Sequence, residues 1–396
     1  MRNAAHSLTH RLAGLMAAGA LLGALGCEGD VAKVWQYTSH SASRSTPALL
    51  GEIIVFGTES GELHAVDVNG SYRWKFPAGK EIVSAPAVVE DMLLFGSTNS
   101  NLYAVAASGR QVFKYTTFAR IKGDPLVVDN SVVFGSYDKH LYRIGLDDQK
   151  EMWTFPPDIV DGQLLDAPKK PEDWKEGDPE PAWDTKLWPT EGFSYAKPLR
   201  TSTGLIVSGN LDGYLYALDE KTGELKWRWA SDGVKEKGAI GITSSVREHE
   251  GVIYYGANDG NVYAMDLKNR KILWKFKTGD EVNSSAAIDA QNGVLYIGSR
   301  DKKLYALGLK DGAKKWEFTA NGPILGIPAL YKNLVIFGGG KGDGHVYALN
   351  TKDGSVFWKF KTGGEVDADP LFNGDTFYIA SADRNLYAFQ IKKTPQ

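Results

Sequence analysis

Residues Leu295-Tyr296-Ile297-Gly298-Ser299, followed by Leu304-Tyr305-Ala306-Leu307 and then Trp316-Glu317-Phe318, form a pattern that recurs along the chain. An apolar run ends in Gly-Ser or Gly-Thr, a second run carries Leu-Tyr-Ala-Leu, and a glycine turn leads into Trp-x-Phe. The strand-end position falls at Gly57, Gly96, Gly135, Gly209, Gly256, Gly298, Gly338 and Ala380, in steps of 39, 39, 74, 47, 42, 40 and 42. The aromatic position falls at Trp74, Phe113, Trp153, Trp227, Trp274, Trp316 and Trp358, in steps of 39, 40, 74, 47, 42 and 42. Two markers keep one phase. A period of about forty residues with four short strands per unit predicts the blades of a β-propeller.

The copy from Asn283 to Ala320 shows how one unit is expected to fold. Ser284 to Ile288 reads as the innermost strand, small because such strands crowd a central channel. Leu295 to Gly298 is apolar throughout, which suits burial on both faces. Leu304 and Ala306 alternate with Tyr305 and Leu307, the period-two pattern of a strand. Lys310-Asp311-Gly312 turns the chain, and Lys315 to Phe318 is the outer strand, whose Trp wedges between blades.

The count is eight, and the ring closes through the N-terminus. The last copy stops after Leu386-Tyr387-Ala388-Phe389 without its Trp strand, while Val34-Trp35-Gln36-Tyr37 lies 39 residues before Trp74. That segment is expected to complete the last blade, removing the edges that an open array presents. The fold class is therefore all-β: an eight-bladed β-propeller of four-stranded antiparallel blades, one domain over residues 34–393. Two blades depart from the pattern. Phe113 replaces Trp in the second, and an insertion over residues 158–197 accounts for the step of 74.

A formal net charge of -3 and a pI near 6.2 leave no broad basic field for nucleic acid. The N-terminus is different material: Arg2 and Arg11 precede Leu12 to Gly26, which contains only Ala, Gly, Leu and Met. This reads as an export signal, residues 1–26, too short for a comfortable membrane span. It stops at Cys27, the one cysteine of the chain. Ala24-Leu25-Gly26-Cys27 resembles the bacterial lipobox, which implies cleavage before Cys27, lipid on its thiol and a tether over residues 27–33. Acyl chains on one residue would anchor the domain stably. Glu28 after the cysteine points to the outer membrane, with the propeller facing the periplasm.

Ala217-Leu218-Asp219 to Thr222-Gly223-Glu224-Leu225-Lys226-Trp227 resembles the PQQ-type propeller repeat, with further copies at Ala264 to Trp274 and Ala348 to Trp358. Within that superfamily the chain looks most like the BamB-type lipoproteins, non-catalytic subunits of the outer-membrane β-barrel assembly machinery. The resemblance implies a monomeric, lipid-anchored scaffold whose partners are envelope proteins, the barrel-assembly subunit among them. In that family docking is attributed to Leu and Arg on one blade and an Asp-x-Asp on the next. At those places this chain reads Gly192-Phe193-Ser194-Tyr195 and Ile240-Gly241-Ile242-Thr243, and its Asp-x-Asp, Asp367-Ala368-Asp369, is on the last blade. Asp367 and Asp369 are thus candidate contacts, and a related propeller lipoprotein with another envelope partner is the competing expectation.

The enzyme alternative is a PQQ-dependent quinoprotein dehydrogenase. It requires oxygen ligands for Ca²⁺, a base and a stacking surface for the quinone. Asp124, Asp367 and Asp369, with Lys122 and Lys197 in the same register, are the candidates at the inner strands. The plainer expectation is that these charges solvate the channel and offset one another, with no cofactor and no catalysis. His40, His64, His140, His249 and His345 are scattered among the blades without metal-ligand spacing. Gly338 to Gly342 mimics a phosphate loop but precedes no helix.

The insertion from Asp158 to Lys197 carries ten acidic residues, several prolines and Trp174, Trp183 and Trp188. Its composition supports no core of its own. Its tryptophans either pack back onto the propeller or, as residues enriched at binding hot spots, contact a partner.

Overall fold

Each repeat folds as a four-stranded antiparallel sheet, and eight such sheets make the propeller. The structure, a computed structural model, describes residues 30–157, 159–160, 163–164, 188–193, 195–237 and 240–395. Blade 6 is typical: strands Ala287–Asp289, Val294–Gly298, Lys303–Gly308 and Lys314–Thr319 run from the channel outward. Beyond the blades the described residues contain a two-residue hairpin, Ile159–Val160 with Gln163–Leu164, and one helix, Asp232–Lys237.

Alternate residues of a strand face opposite neighbours, so both are buried. Tyr305 and Leu307 pack with Tyr254 and Trp274 of blade 5, whereas Leu304 and Ala306 pack with Val335 and Phe337 of blade 7. The same holds around the ring: the eight apolar clusters each join two consecutive blades. The inner strand is shorter than the Ser284–Ile288 expected, beginning at Ala287. Ser284 and Ser285 turn to the neighbours instead, Ser284 Oγ donating to the Gly326 carbonyl and Ser285 Oγ accepting the Ser245 N–H.

Both markers of the repeat turn out to be contacts between blades. A Cβ on Gly298 would lie 2.4 Å from Ile324 of the next blade, and Gly57, Gly96, Gly135, Gly209, Gly256 and Gly338 stand the same way against Ile82, Ile121, Phe193, Ile242, Val282 and Val366. Where the position is Ala380, the residue arriving from the next blade is Ser43, which donates its N–H to Ser381 and is smaller than those aliphatic or aromatic residues.

The tryptophan lies on a glycine. Gly312 has φ +66°, in the left-handed region, and a Cβ there would stand 2.6 Å from the Trp274 ring of the preceding blade. The indole N–H of Trp274 then donates to the Leu309 carbonyl at 2.9 Å. Trp74, Trp153 and Trp316 repeat this on Gly109, Gly223 and Gly354, donating to Ala107, Glu220 and Thr351. Three junctions depart from this contact. Phe113 is followed in the next blade by Gln149 and Trp227 by Arg270, each in the turn where a glycine would stand. Trp358 faces the last blade, whose third and fourth strands share no turn, and it packs on Phe389 at 5.0 Å.

Closure follows the same rule. Val31–Thr38 pairs antiparallel with Asn385–Ile391, completing blade 8 with Thr376–Ala380 and Leu371–Asn373. Trp35 lies on Gly70 of blade 1 and donates to the Val68 carbonyl at 2.9 Å. Tyr37 meets His64, which replaces the repeat tyrosine, at 3.1 Å. The closing strand begins three residues earlier than the expected Val34, because Val31 is buried against Ile391 in the last interface.

Deleting residues 31–38 should therefore cost on the order of 3–5 kcal/mol, through loss of partly buried Trp35 and buried Val31, and expose the edge of Asn385–Ile391. Thermal melting and size-exclusion chromatography should show a lowered Tm and association. An unchanged, monomeric protein would contradict the closure.

Candidate functional site

The inner strands bring the charged candidates of the sequence to the channel, and most of them have a structural use. One position lies just before Pro47, Pro86, Pro125, Pro198, Pro328 and Pro370, and is occupied around the ring by Thr46, Ala85, Asp124, Lys197, Ser245, Ser285, Ile327 and Asp369. Its backbone N–H reaches the side chain at the same position in the next blade. The Ala85 N–H donates to Asp124 at 2.7 Å, Lys197 to Ser245 at 2.9 Å and Ser245 to Ser285 at 2.7 Å. Ile327 donates to Asp369 at 2.6 Å and Asp369 to Thr46 at 3.0 Å. The three junctions without this bond lead to Ala85, Lys197 and Ile327, whose side chains hold no acceptor.

Asp124 and Asp369 are thus links of a belt around the channel, a role that sequence reading missed. The signal was present in the shared position before proline, where Asp alternates with Thr and Ser. Burial pushes the Asp369 carboxyl up to about 7, against the Ile327 N–H that favours its charged form, with Asp124 adding like-charge repulsion. Burial raises Asp124 as well, opposed by the Ala85 N–H and by Lys197 and Arg247. These charges act on one another across the channel.

Asp367 sits nearer the rim, two residues before the belt. Arg44 of blade 1 binds it and also Glu365 at 2.7 Å and Glu59 at 2.8 Å. Burial raises the Asp367 carboxyl despite Arg44. On the other side of the ring Lys122 reaches Tyr195 Oη at 3.4 Å and Glu81 at 3.7 Å. Among the described residues no group of three His, Cys, Asp or Glu is placed to hold a metal. Asp124, Asp367 and Asp369 are therefore not brought together as a ligand set, each being held by its own partner.

Trp188 is half-buried, next to buried Pro189. The chain re-enters the propeller there, with the Thr190 N–H on Asp212 at 3.2 Å and the Glu191 carbonyl accepting from Asn210 at 2.9 Å. Trp174, Trp183, Cys27 and the signal segment lie outside the described residues, and among the described residues no helix is long and apolar enough to cross a membrane.

The belt makes a prediction with a definite sign. A carboxyl raised from 3.8 to about 7 binds protons more tightly folded than unfolded. Its contribution is full at low pH and is lost as pH rises through that interval. Asp369→Asn keeps an acceptor for Ile327 and removes the charge, so it should raise stability at pH 8 by on the order of 2–4 kcal/mol and leave it nearly unchanged at pH 4. Asp369→Leu removes the acceptor and should cost roughly 1–3 kcal/mol at pH 4. Urea unfolding at the two pH values checks both; an Asn variant with the wild-type pH profile would contradict the assignment.

A search of curated protein sequences found no match. A family model described as "Outer membrane protein assembly factor BamB" matches residues 28–105, 81–163, 173–275 and 258–393. Among solved structures, BamB from Moraxella catarrhalis superposes with a TM-score of 0.69 at 16% identity, over 91% of this chain and 99% of that one. The computationally designed Ika8 protein gives 0.69 at 15% identity, over 92% and 100%. Quinohemoprotein alcohol dehydrogenase from Comamonas testosteroni gives 0.68 at 15% identity, over 93% of this chain and 77% of that one. Identities this low speak for the propeller fold alone, which here serves an assembly factor, a design and an enzyme. The family model, in contrast, follows the sequence from blade to blade, and by that match the chain belongs to the family of the outer membrane protein assembly factor BamB.

Proposed function

We propose that the protein is a non-catalytic propeller scaffold, anchored in the bacterial envelope through lipid on Cys27, that mediates protein–protein interaction in the assembly of outer-membrane β-barrel proteins. The observation that carries this reading is the family match along the whole propeller. The geometry of the chain ends supports it. Val31 pairs with Ile391, and the Lys392 N–H donates to the Asp30 carbonyl, so both ends leave by one rim. Cys27 precedes Val31 by only four residues. A lipid there would hold that rim toward the membrane and leave the opposite rim to a partner.

The competing reading is a quinoprotein dehydrogenase, favoured by the fold of the Comamonas testosteroni enzyme. The carboxylates it would recruit, Asp124 and Asp369, are engaged by backbone N–H groups of the neighbouring blades. Using them as ligands would compete with the blade-to-blade belt.

Cys27→Ser should release the protein from the membrane fraction or leave it as uncleaved precursor, whereas a mature, lipid-labelled variant would refute the anchor. Crosslinking with mass spectrometry on native membranes should place an outer-membrane assembly protein against the rim far from the N-terminus. The purified protein mixed with PQQ, Ca²⁺ and a panel of alcohols and aldoses should reduce no artificial electron acceptor. Turnover that needs PQQ and disappears in Asp124→Asn would overturn the scaffold reading.

A further inference from the structure

One sector of the rim opposite the chain ends carries an exposed Phe and a cluster of cationic and aromatic side chains. Phe118 is 91% exposed, the most exposed large apolar residue of the described chain. It follows the outer strand of blade 2, Gln111–Thr116, and its backbone N–H donates to Asp138 of blade 3 at 3.0 Å. In other blades the same bond to the next blade's Asp comes from Gly279, Asn321 and Gly363. The bond is made by the backbone alone, so the repeat asks for no aromatic side chain here. A single exposed Phe is ordinary on a protein surface; this one gains significance from the stacked Arg and Tyr side chains that follow it in the same sector.

Two residues on stands Arg120. The Arg120 carbonyl accepts the Tyr137 N–H at 3.0 Å, a bond made in other blades by the carbonyls of Glu81, Glu281 and Glu365. The remaining junctions make it with Ala42, Gly192, Gly241 and Pro323, so the position holds an acid three times and a cation once, at Arg120. Arg120 is exposed, its guanidinium lies 4.0 Å from the centre of the Tyr137 ring, and among the described residues it makes no ion pair. The Tyr137 ring stands edge-on to Tyr195 at 6.4 Å, Tyr195 is 47% exposed, and Lys122 lies 5.5 Å over it. Arg and aromatic side chains, prearranged by stacking, are the residue types that carry binding energy at interfaces. A guanidinium flattened on a ring keeps its edge N–H groups for a carboxylate.

We infer that Phe118, Arg120, Tyr137 and Tyr195, with Lys122, form a docking surface for an extended acidic segment of a partner protein, one that presents a carboxylate to Arg120 beside an apolar side chain for Phe118. Lys122 is shared with Glu81 at 3.7 Å, so it is Arg120, without an ion pair among the described residues, that selects a carboxylate, and the sector's place on the rim away from the chain ends keeps it clear of a membrane tether. This gives the scaffold proposed above a specific surface, and it rests on that reading for its role but not for its chemistry.

The test uses the full-length chain in detergent and a short fluorescein-labelled peptide of alternating Asp and Leu, with a Lys-Leu peptide as comparison. Fluorescence polarisation should show saturable binding of the Asp-Leu peptide alone. Phe118→Ser and Arg120→Glu should each weaken it at least about tenfold, while Leu273→Ser, an exposed change on blade 5, should not. Equal Tm values separate lost binding from lost folding; both altered side chains are exposed, so no change is expected. No binding, equal binding of the two peptides, or indifference to both rim variants would overturn the inference. Binding that emerges only when residues 162–191 are replaced by a Gly-Ser linker would also overturn it, making the chain's own acidic insertion the occupant. The measurement does not depend on lipid or envelope location, so its failure leaves the scaffold reading standing, and failure of the anchor test leaves this surface standing.

Discussion

A tryptophan laid on the glycine of the next blade is the contact on which this propeller depends. The glycine must satisfy two demands together. The turn between the third and fourth strands needs a residue at positive φ, and the indole of the preceding blade leaves no room for a Cβ. Other residues meet the first demand, as Gln149 and Arg270 do opposite Phe113 and Trp227, so at those two junctions the glycine is dispensed with. The indole N–H closes the arrangement on a carbonyl of the same turn. Because Trp35 and Gly70 repeat this contact between the last blade and the first, the rule that stacks one blade on the next also closes the ring.

The repeat, the number of blades and the closing strand were legible in the sequence because their markers recur in phase. What the markers do was less legible. Gly298 read as a strand end within one blade and Trp316 as a wedge between blades, but nothing in the sequence pointed to the residues they meet in the neighbouring repeat, Ile324 and Gly354. The inner strand was read too long because Ser284 and Ser285 look like small strand residues, and nothing local announces that their hydroxyls serve adjacent blades. Asp124 and Asp369 were read as charges in a channel. Aligning the residues before the inner prolines would have shown them standing in for Thr and Ser as acceptors. Arg120 and Phe118 passed unnoticed for a different reason: they break the repeat only in side-chain chemistry, and their backbone bonds follow it.

Function then resides in departures from the repeat, since the repeated residues are committed to holding blades together. Eight interfaces, the belt before the inner prolines and the Asp–Tyr pairs such as Asp301 with Tyr305 at 2.6 Å absorb most of the recurrent polar groups. The departures are few and asymmetric. The chain ends lie on one rim beside blade 8, while the insertion and the cationic, aromatic sector lie at blades 2 to 4. A rigid ring can thus separate attachment from recognition, as the proposed scaffold role requires.

The central claim is that the Trp-on-Gly contact, and not the glycine's turn conformation alone, holds the ring closed. A double-mutant cycle on Trp35 and Gly70, read by urea unfolding, tests it most directly. Gly70→Ala imposes a backbone cost in any background, but a clash with the ring only while Trp35 is present. The account predicts that Gly70→Ala is more destabilising by about 1–3 kcal/mol in the wild type than in Trp35→Leu, the coupling expected of residues in contact. Additive effects of the two substitutions would contradict it.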